Sequence, residues 1–218
     1  MSGLGPAQQK LREEFNQWQA RGKGASMARH HGAITERAVE RMGLEAGDRV
    51  LDLGCGSGWA SRRLAPRVGP RGLVVGLDLS DAMIREAQEH PEAPRNVRYL
   101  CAPAESIPWS NDFFTHVLSV ESFYYYADQR AVLDELRRIV IPGGRVFLLM
   151  CLFRGNPNAQ DWVEKLAVPV HLRSAGEYCE LLGNAGWAEA QAEEWAPDPS
   201  DPHPDEHAYA CLVTARKP

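Results

Sequence analysis

The sequence predicts an α/β fold: a mostly parallel, doubly wound sheet with helices on both faces. Three observations carry that expectation. Short apolar runs recur along the chain, helical stretches separate them, and the first strong run ends in a glycine-rich turn. A parallel strand connection has to cross back over the sheet, so alternating strands and helices favour this architecture. A chain of 218 residues is long enough to bury a substantial core in one globular unit.

Taken in order, Leu11, Phe15 and Trp18 recur at helical spacing, and Gly22 and Gly24 end that helix. A second helical segment covers 35–42, with Ile34, Ala38 and Met42 on one face and Gly43 as its stop. A strand at 49–53 follows, then a helix over 57–65 closed by Pro66. Gly69-Pro70 turns the chain into a second buried strand at 73–77. Ser80 suits the N-cap of a helix running to His90, and Pro91 and Pro94 mark its exit.

Strands are expected at 97–101 and 116–120. Asp128 can cap a helix whose Val132, Leu136, Ile139 and Val140 form an apolar stripe. Pro142-Gly143-Gly144 reads as a turn before a strongly apolar strand at 145–152. Residues 153–173 look irregular, and Ser174 caps a helix through Leu182, stopped at Gly183 or Gly186. Strands at 189–195 and 208–215 bracket a Pro/Asp-rich loop at 197–204.

The formal net charge of -5 argues against a large nucleic-acid footprint, which needs a basic surface. No apolar stretch approaches the 18 residues of a membrane span, and the first ten residues lack a secretory signal's apolar core. Cys55, Cys101, Cys151, Cys179 and Cys211 are an odd number with no close pairs. They read as small reduced residues of a cytoplasmic protein, and none shares the local spacing of a zinc site. No metal is expected.

The run Val50-Leu51-Asp52-Leu53-Gly54-Cys55-Gly56-Ser57-Gly58 is the strongest functional signal. Glycine reaches positive φ cheaply and lets a ligand lie against the backbone, and the following helix N-terminus favours a negative or polar group. The dinucleotide fingerprint needs a third glycine one position later, where Trp59 stands, and no Lys-Ser/Thr follows for a P-loop. The spacing instead resembles the D-x-G-x-G-x-G motif of class I S-adenosylmethionine-dependent methyltransferases.

Three further segments carry the same resemblance. Asp78 ends the second strand in Val75-Gly76-Leu77-Asp78-Leu79-Ser80, Ala104-Glu105-Ser106-Ile107-Pro108-Trp109 looks like an A-E-x-L-P-F loop, and 133–144 is similar to L-x-E-x-x-R-V-L-K-P-G-G. The match runs in order over 49–152, and the group it most resembles is the small-molecule branch with ubiquinone, sterol and tocopherol methyltransferases. The resemblance implies a Rossmann-like, seven-stranded sheet with an antiparallel last strand plus N-terminal helices. It also implies a division into a helical lid at 1–45 and a cofactor-binding unit at 46–218.

What the resemblance implies for the site is specific. Gly54, Cys55, Gly56 and Gly58 would cradle the methionine end of the cofactor, with Asp52 placing its amino group. Asp78 would take both ribose hydroxyls, a task for an acceptor-only carboxylate, with Leu79, Met83, Ala104, Glu105 and Ser119 completing the cofactor set. Each acid also has a plainer reading: Asp78 as a neighbour of the Ser80 cap, Glu105 as a solvated loop carboxylate.

For catalysis the candidates are Glu121, in a Glu121-Ser122 pair similar to that of tocopherol and some sugar methyltransferases, and His31 of the His30-His31 pair. Glu121 either orients an acceptor, takes its proton or makes a simple hydrogen bond; a near-neutral imidazole suits a base. One or two of Tyr124, Tyr125 and Tyr126 should line the pocket, with Phe153, Trp162, Val168 and Val170 as apolar lining. Arg154 and Arg173 are candidate anchors for an anionic group, and His171 is a candidate to reach the acceptor. Phe15 and Trp18 pack the first helix or serve in a lid, and His116 is structural.

The expected activity is methyl transfer to a small-molecule acceptor by in-line displacement, in a cytoplasmic monomer or homodimer without nucleic acid. Two rivals remain open: RNA or protein methylation, and a protein that binds S-adenosylmethionine without catalysis.

Overall fold

Residues 4–197 and 209–218 are described by a computed structural model, and they open with two helices, α1 (Pro6–Ala20) and α2 (Lys23–Met42). Strands and helices then alternate: β1 (Arg49–Leu53), α3 (Trp59–Val68), β2 (Leu73–Asp78), α4 (Asp81–Glu89), β3 (Val97–Cys101) and β4 (Phe114–Val120). The rest is α5 (Gln129–Ile139), β5 (Val140–Met150), α6 (Ala159–Glu164), α7 (Ala175–Asn184), β6 (Ala188–Trp195) and β7 (Ala210–Arg216).

These strands form one sheet in the order β3-β2-β1-β4-β5-β7-β6. Neighbours from β3 through β5 pair in parallel, and β7 runs antiparallel to both β5 and β6. The expected doubly wound sheet with an antiparallel last strand is therefore the observed one.

The apolar runs explain the layering. In a strand, side chains alternate between faces, so Leu51 and Leu53 join α5 and α7 residues such as Leu133, Leu136 and Tyr178 on one side. Val50 points the other way, to Ile34, Ala38 and Met42 of α2 and Leu64 and Val68 of α3. A strand covered on both faces has to be apolar throughout. Full burial of one such Leu or Val contributes about 1.5–3 kcal/mol.

The local boundaries differ from the sequence expectation in four places. α2 begins at Lys23 and passes through Gly24 and Gly32, because its apolar face is held on the sheet; that packing outweighs the helix cost of glycine, about 1 kcal/mol each. α3 continues past Pro66 to the buried Val68. β5 starts at Val140 rather than 145: Pro142-Gly143-Gly144 is an excursion within it, where Gly143 adopts φ +81° and its N–H bonds to the Lys217 carbonyl at 2.9 Å. The stretch expected to be irregular holds the short helix α6. Most of the Pro/Asp-rich loop lies outside the described residues.

The chain moves from β1 outward through β2 to β3, then returns to β4 on the other side of β1. That reversal opens a crevice at the carboxyl ends of β1 and β4, the place where such sheets receive ligands.

Candidate active site

The turn after β1 sits at this crevice. Gly54, Gly56 and Gly58 all have positive φ (+73°, +51° and +76°), but they face different surroundings. A Cβ on Gly54 would meet Ser122 at 2.4 Å, and one on Gly58 would meet the Tyr99 hydroxyl at 2.4 Å and its ring at 2.7 Å. A Cβ on Gly56 meets nothing within 4 Å. Gly54 and Gly58 thus permit close packing of the turn, while Gly56 alone presents bare backbone to open space.

Two cavities of about 360 and 270 Å³ flank this turn and share Asp78 and Tyr125 in their walls. The first is bounded by Leu79, Ala104 and Glu105, by Gln8 and Leu11 of α1, and by Val168, Val170 and His171. The second is bounded by Gly54, Cys55, Gly56 and Met83, by Phe15 and Trp18 of α1, and by His31, Glu121, Tyr124 and Trp162. Among the cofactor candidates, Gly54, Cys55, Gly56, Asp78, Leu79, Met83, Ala104 and Glu105 line one or both cavities.

Asp78 accepts hydrogen bonds from Ser80 N (2.8 Å) and Gly56 N (2.9 Å). Burial pushes its carboxyl above the usual range, and backbone N–H groups of Ser80, Gly56 and Leu79 pull it back. A carboxylate offers about four lone-pair sites, so acceptor capacity remains beside these N–H groups. Glu105 accepts from Gln8 Nε2 at 2.9 Å.

Asp52, Gly58 and Ser119 do not line either cavity. Asp52 is 1% exposed and lies beneath the turn, accepting from Ser61 Oγ at 2.5 Å. Desolvation raises its carboxyl to about 7, and the Ser61 bond anchors it at the start of α3. Ser119 bonds Ser122 Oγ at 2.6 Å, and Ser122 donates to the Leu53 carbonyl at 2.8 Å. This pair ties the ends of β1 and β4 together.

The two catalytic candidates, 90 residues apart in sequence, meet in the second cavity. Glu121 follows β4 with φ +53°, a left-handed conformation that costs a non-glycine residue about 1–2 kcal/mol. Its Oε2 accepts from Tyr124 OH at 2.8 Å and its Oε1 from Cys151 N. Burial, followed by the Glu121 charge, pushes the Tyr124 phenol well up, so Tyr124 stays a donor. His31 is buried on α2, with Nδ1 3.6 Å from Cys151 Sγ.

Cys151 belongs to this cluster and was missed as a site residue. The signal was available in the strand pairing: Val120 is opposite Leu149, so the residues just beyond β4 and β5 emerge side by side. Local cysteine spacing is blind to such a grouping.

Other expectations need correction. Phe153 packs into the core, and neither Arg154 nor Arg173 lines a cavity. Arg154 pairs with Glu177, and Arg173 Nε donates to Gln129 Oε1 at 3.0 Å. All three tyrosines line one or both cavities. His116 lies on β4, half-buried, with burial lowering its pKa, and it takes no part in the site.

Across the cavities lies α1. Besides the Gln8–Glu105 bond, Ser80 Oγ donates to Asn16 Oδ1 at 2.6 Å, Asn16 Nδ2 donates to Asp81, and Phe15 meets the Tyr125 ring edge-on at 5.1 Å. Phe15 and Trp18 therefore pack against each other and line the cavity at once.

The comparisons with known proteins agree with this geometry. Residues 51–148 match the family model described as a methyltransferase domain. The chain is 31% identical over 122 residues to a ubiquinone/menaquinone biosynthesis C-methyltransferase from Coxiella burnetii, covering 55% of this chain and 49% of that protein. It is 29% identical over 174 residues to a demethylmenaquinone methyltransferase from Lactococcus lactis, covering 77% and 67%. The chain thus spans about half the length of the Coxiella relative. Among solved structures, a putative methyltransferase in complex with the Haloferax volcanii Trm112 methyltransferase activator superposes with a TM-score of 0.83, at 29% identity, over 94% of this chain and 98% of that one. Residues 51–148 therefore carry this chain's likeness to a methyltransferase domain.

Proposed function

We propose that this chain transfers a methyl group from S-adenosylmethionine to a small, largely apolar acceptor. The observation that carries the reading is the pair of cavities that share Asp78 and Tyr125 in their walls, the second also lined by Glu121 and His31. The adenosine half fits the first cavity, with Asp78 on the ribose hydroxyls and Leu79 and Ala104 against the base. The methionine half fits along Gly56, where no side chain fills the space.

When bound, the cofactor supplies a methyl group already activated by a positively charged sulfur. The protein's task is then alignment and exclusion of water. Phe15, Trp18, Tyr125 and Trp162 wall the second cavity and keep it apolar. Glu121, held at both oxygens, orients an acceptor hydroxyl or amine and takes its proton as the bond to carbon forms. His31 stands beside it as a second polar group. In this reading residues 1–45 act as the lid and 46–218 as the catalytic unit.

The same reading places the protein in the cytoplasm, supported by five cysteines without a disulfide. No helix among the described residues is long and apolar enough to cross a membrane. The net charge of -5 fits an activity without nucleic acid; a small-molecule acceptor and a monomer or homodimer are part of the same proposal. The Haloferax relative's complex with an activator favours a second reading, in which this chain also works with a protein partner.

Calorimetric titration with S-adenosylmethionine and S-adenosylhomocysteine tests the proposal. Both should bind, and Asp78→Ala should weaken binding by about 1–3 kcal/mol through lost hydrogen bonds. Failure of both to bind would overturn the reading. A screen of acceptors by S-adenosylhomocysteine release then identifies the substrate.

A further inference from the structure

The geometry points to a divalent metal site, of the type zinc occupies, formed by His31, Glu121 and Cys151 at the inner end of the second cavity. Ligand-type atoms of these three buried residues lie within 4.8 Å of one another. They arrive from three segments: α2, the turn after β4, and the residue after β5. A tetrahedral zinc with a Zn–S bond near ~2.3 Å and a Zn–N bond near ~2.0 Å sets its sulfur and nitrogen ligands about 3.5 Å apart. The Nδ1 of His31 and the Sγ of Cys151 are 3.6 Å apart.

Charge and donor type agree with the distance. A thiolate and a carboxylate beside a neutral imidazole sum to two negative charges, which a divalent cation cancels inside an apolar enclosure. Sulfur and imidazole nitrogen select a borderline-soft ion such as zinc over magnesium or calcium. Glu121 is held by Tyr124 OH and Cys151 N, the kind of outer hydrogen bonding that orients metal ligands. Lone pairs remain on its oxygens for coordination.

Three protein ligands leave a fourth position open. His31 and Glu121 both face the cavity, so that position opens toward the space assigned to the acceptor. Metal sites with one vacant position are the catalytic kind, whereas closed four-ligand sites are structural. The use of that vacancy by an acceptor atom rests on the function proposed above; the binding of metal does not.

The test is titration of chelator-treated protein with cobalt(II), then displacement by zinc, with S-adenosylhomocysteine calorimetry on the same samples. One cobalt per chain should bind and give a thiolate-to-cobalt absorption band that zinc abolishes. Cys151→Ser should lose the band, and Cys101→Ser, altering an exposed cysteine, should keep it. Tyr124→Phe leaves all three ligands and should weaken cobalt binding about 10–100-fold with the band retained.

Absence of a stoichiometric cobalt complex in the wild-type protein would overturn the proposal, as would a band that survives in Cys151→Ser. Because the wild-type titration alone decides the first point, misfolding of a variant does not shelter the idea. Loss of S-adenosylhomocysteine binding with the cobalt band intact would instead count against the proposed function.

Discussion

Asp52 ionises only at a cost to the fold, and the replacement Asp52→Asn should expose that cost. Its carboxylate is 1% exposed, bonded to Ser61 Oγ, and raised by burial from 3.8 to about 7. A gap of about 3 pH units, at about 1.4 kcal/mol each, corresponds to about 4 kcal/mol of stability. The sign follows from which state holds the proton. Between about pH 4 and about pH 7 the native state keeps a proton that the unfolded chain has released, so this group's stabilisation falls as pH rises and levels off above about 7. Asparagine has nearly the same shape, can still accept from Ser61, and does not titrate. Urea unfolding of both proteins at intervals from about pH 4.5 to about pH 8 should show Asp52→Asn gaining several kcal/mol relative to wild type. A difference that stays flat with pH would refute a buried, neutral-leaning Asp52.

Gly56→Ala should cost about 1–2 kcal/mol of stability through its φ of +51° and weaken S-adenosylhomocysteine binding more than tenfold, because the new methyl enters the ligand's space. Gly58→Ala should instead act chiefly on stability, since its Cβ would strike the Tyr99 ring; thermal melts with calorimetry separate the two. Asn16→Ala removes the bonds from α1 to Ser80 and Asp81. It should lower stability by about 1 kcal/mol and speed cofactor release, measured by stopped-flow fluorescence.

The cavity wall around Gly54, Gly56 and Asp78 was legible in sequence because its geometry is local. Gly54 to Gly58, Asp78 and Ala104-Glu105 act through backbone turns at strand ends, so a few consecutive residues carry the whole device. The central strands were legible for a related reason: β1 and β2 are buried on both faces and read as largely apolar runs, broken in β1 only by the buried Asp52. α2 was harder, since Gly24 and Gly32 break the pattern while packing on the sheet preserves the helix. The burial of Asp52 and its bond to Ser61 were not legible, because strand alternation and the path of α3 set them and the motif alone does not. The cluster at the acceptor end lies further from the sequence still. Cys151 is 30 residues from Glu121 and 120 from His31, and only the β4–β5 register and the path of α2 bring them together. Local sequence therefore specifies the cavity wall at the ends of β1 and β2, while topology assembles the cluster of His31, Glu121 and Cys151. Under the proposed function, the second-cavity residues on α1, α2 and α6 lie outside the glycine motif, so substitutions there should alter acceptor choice while leaving the glycine turn and Asp78 in place.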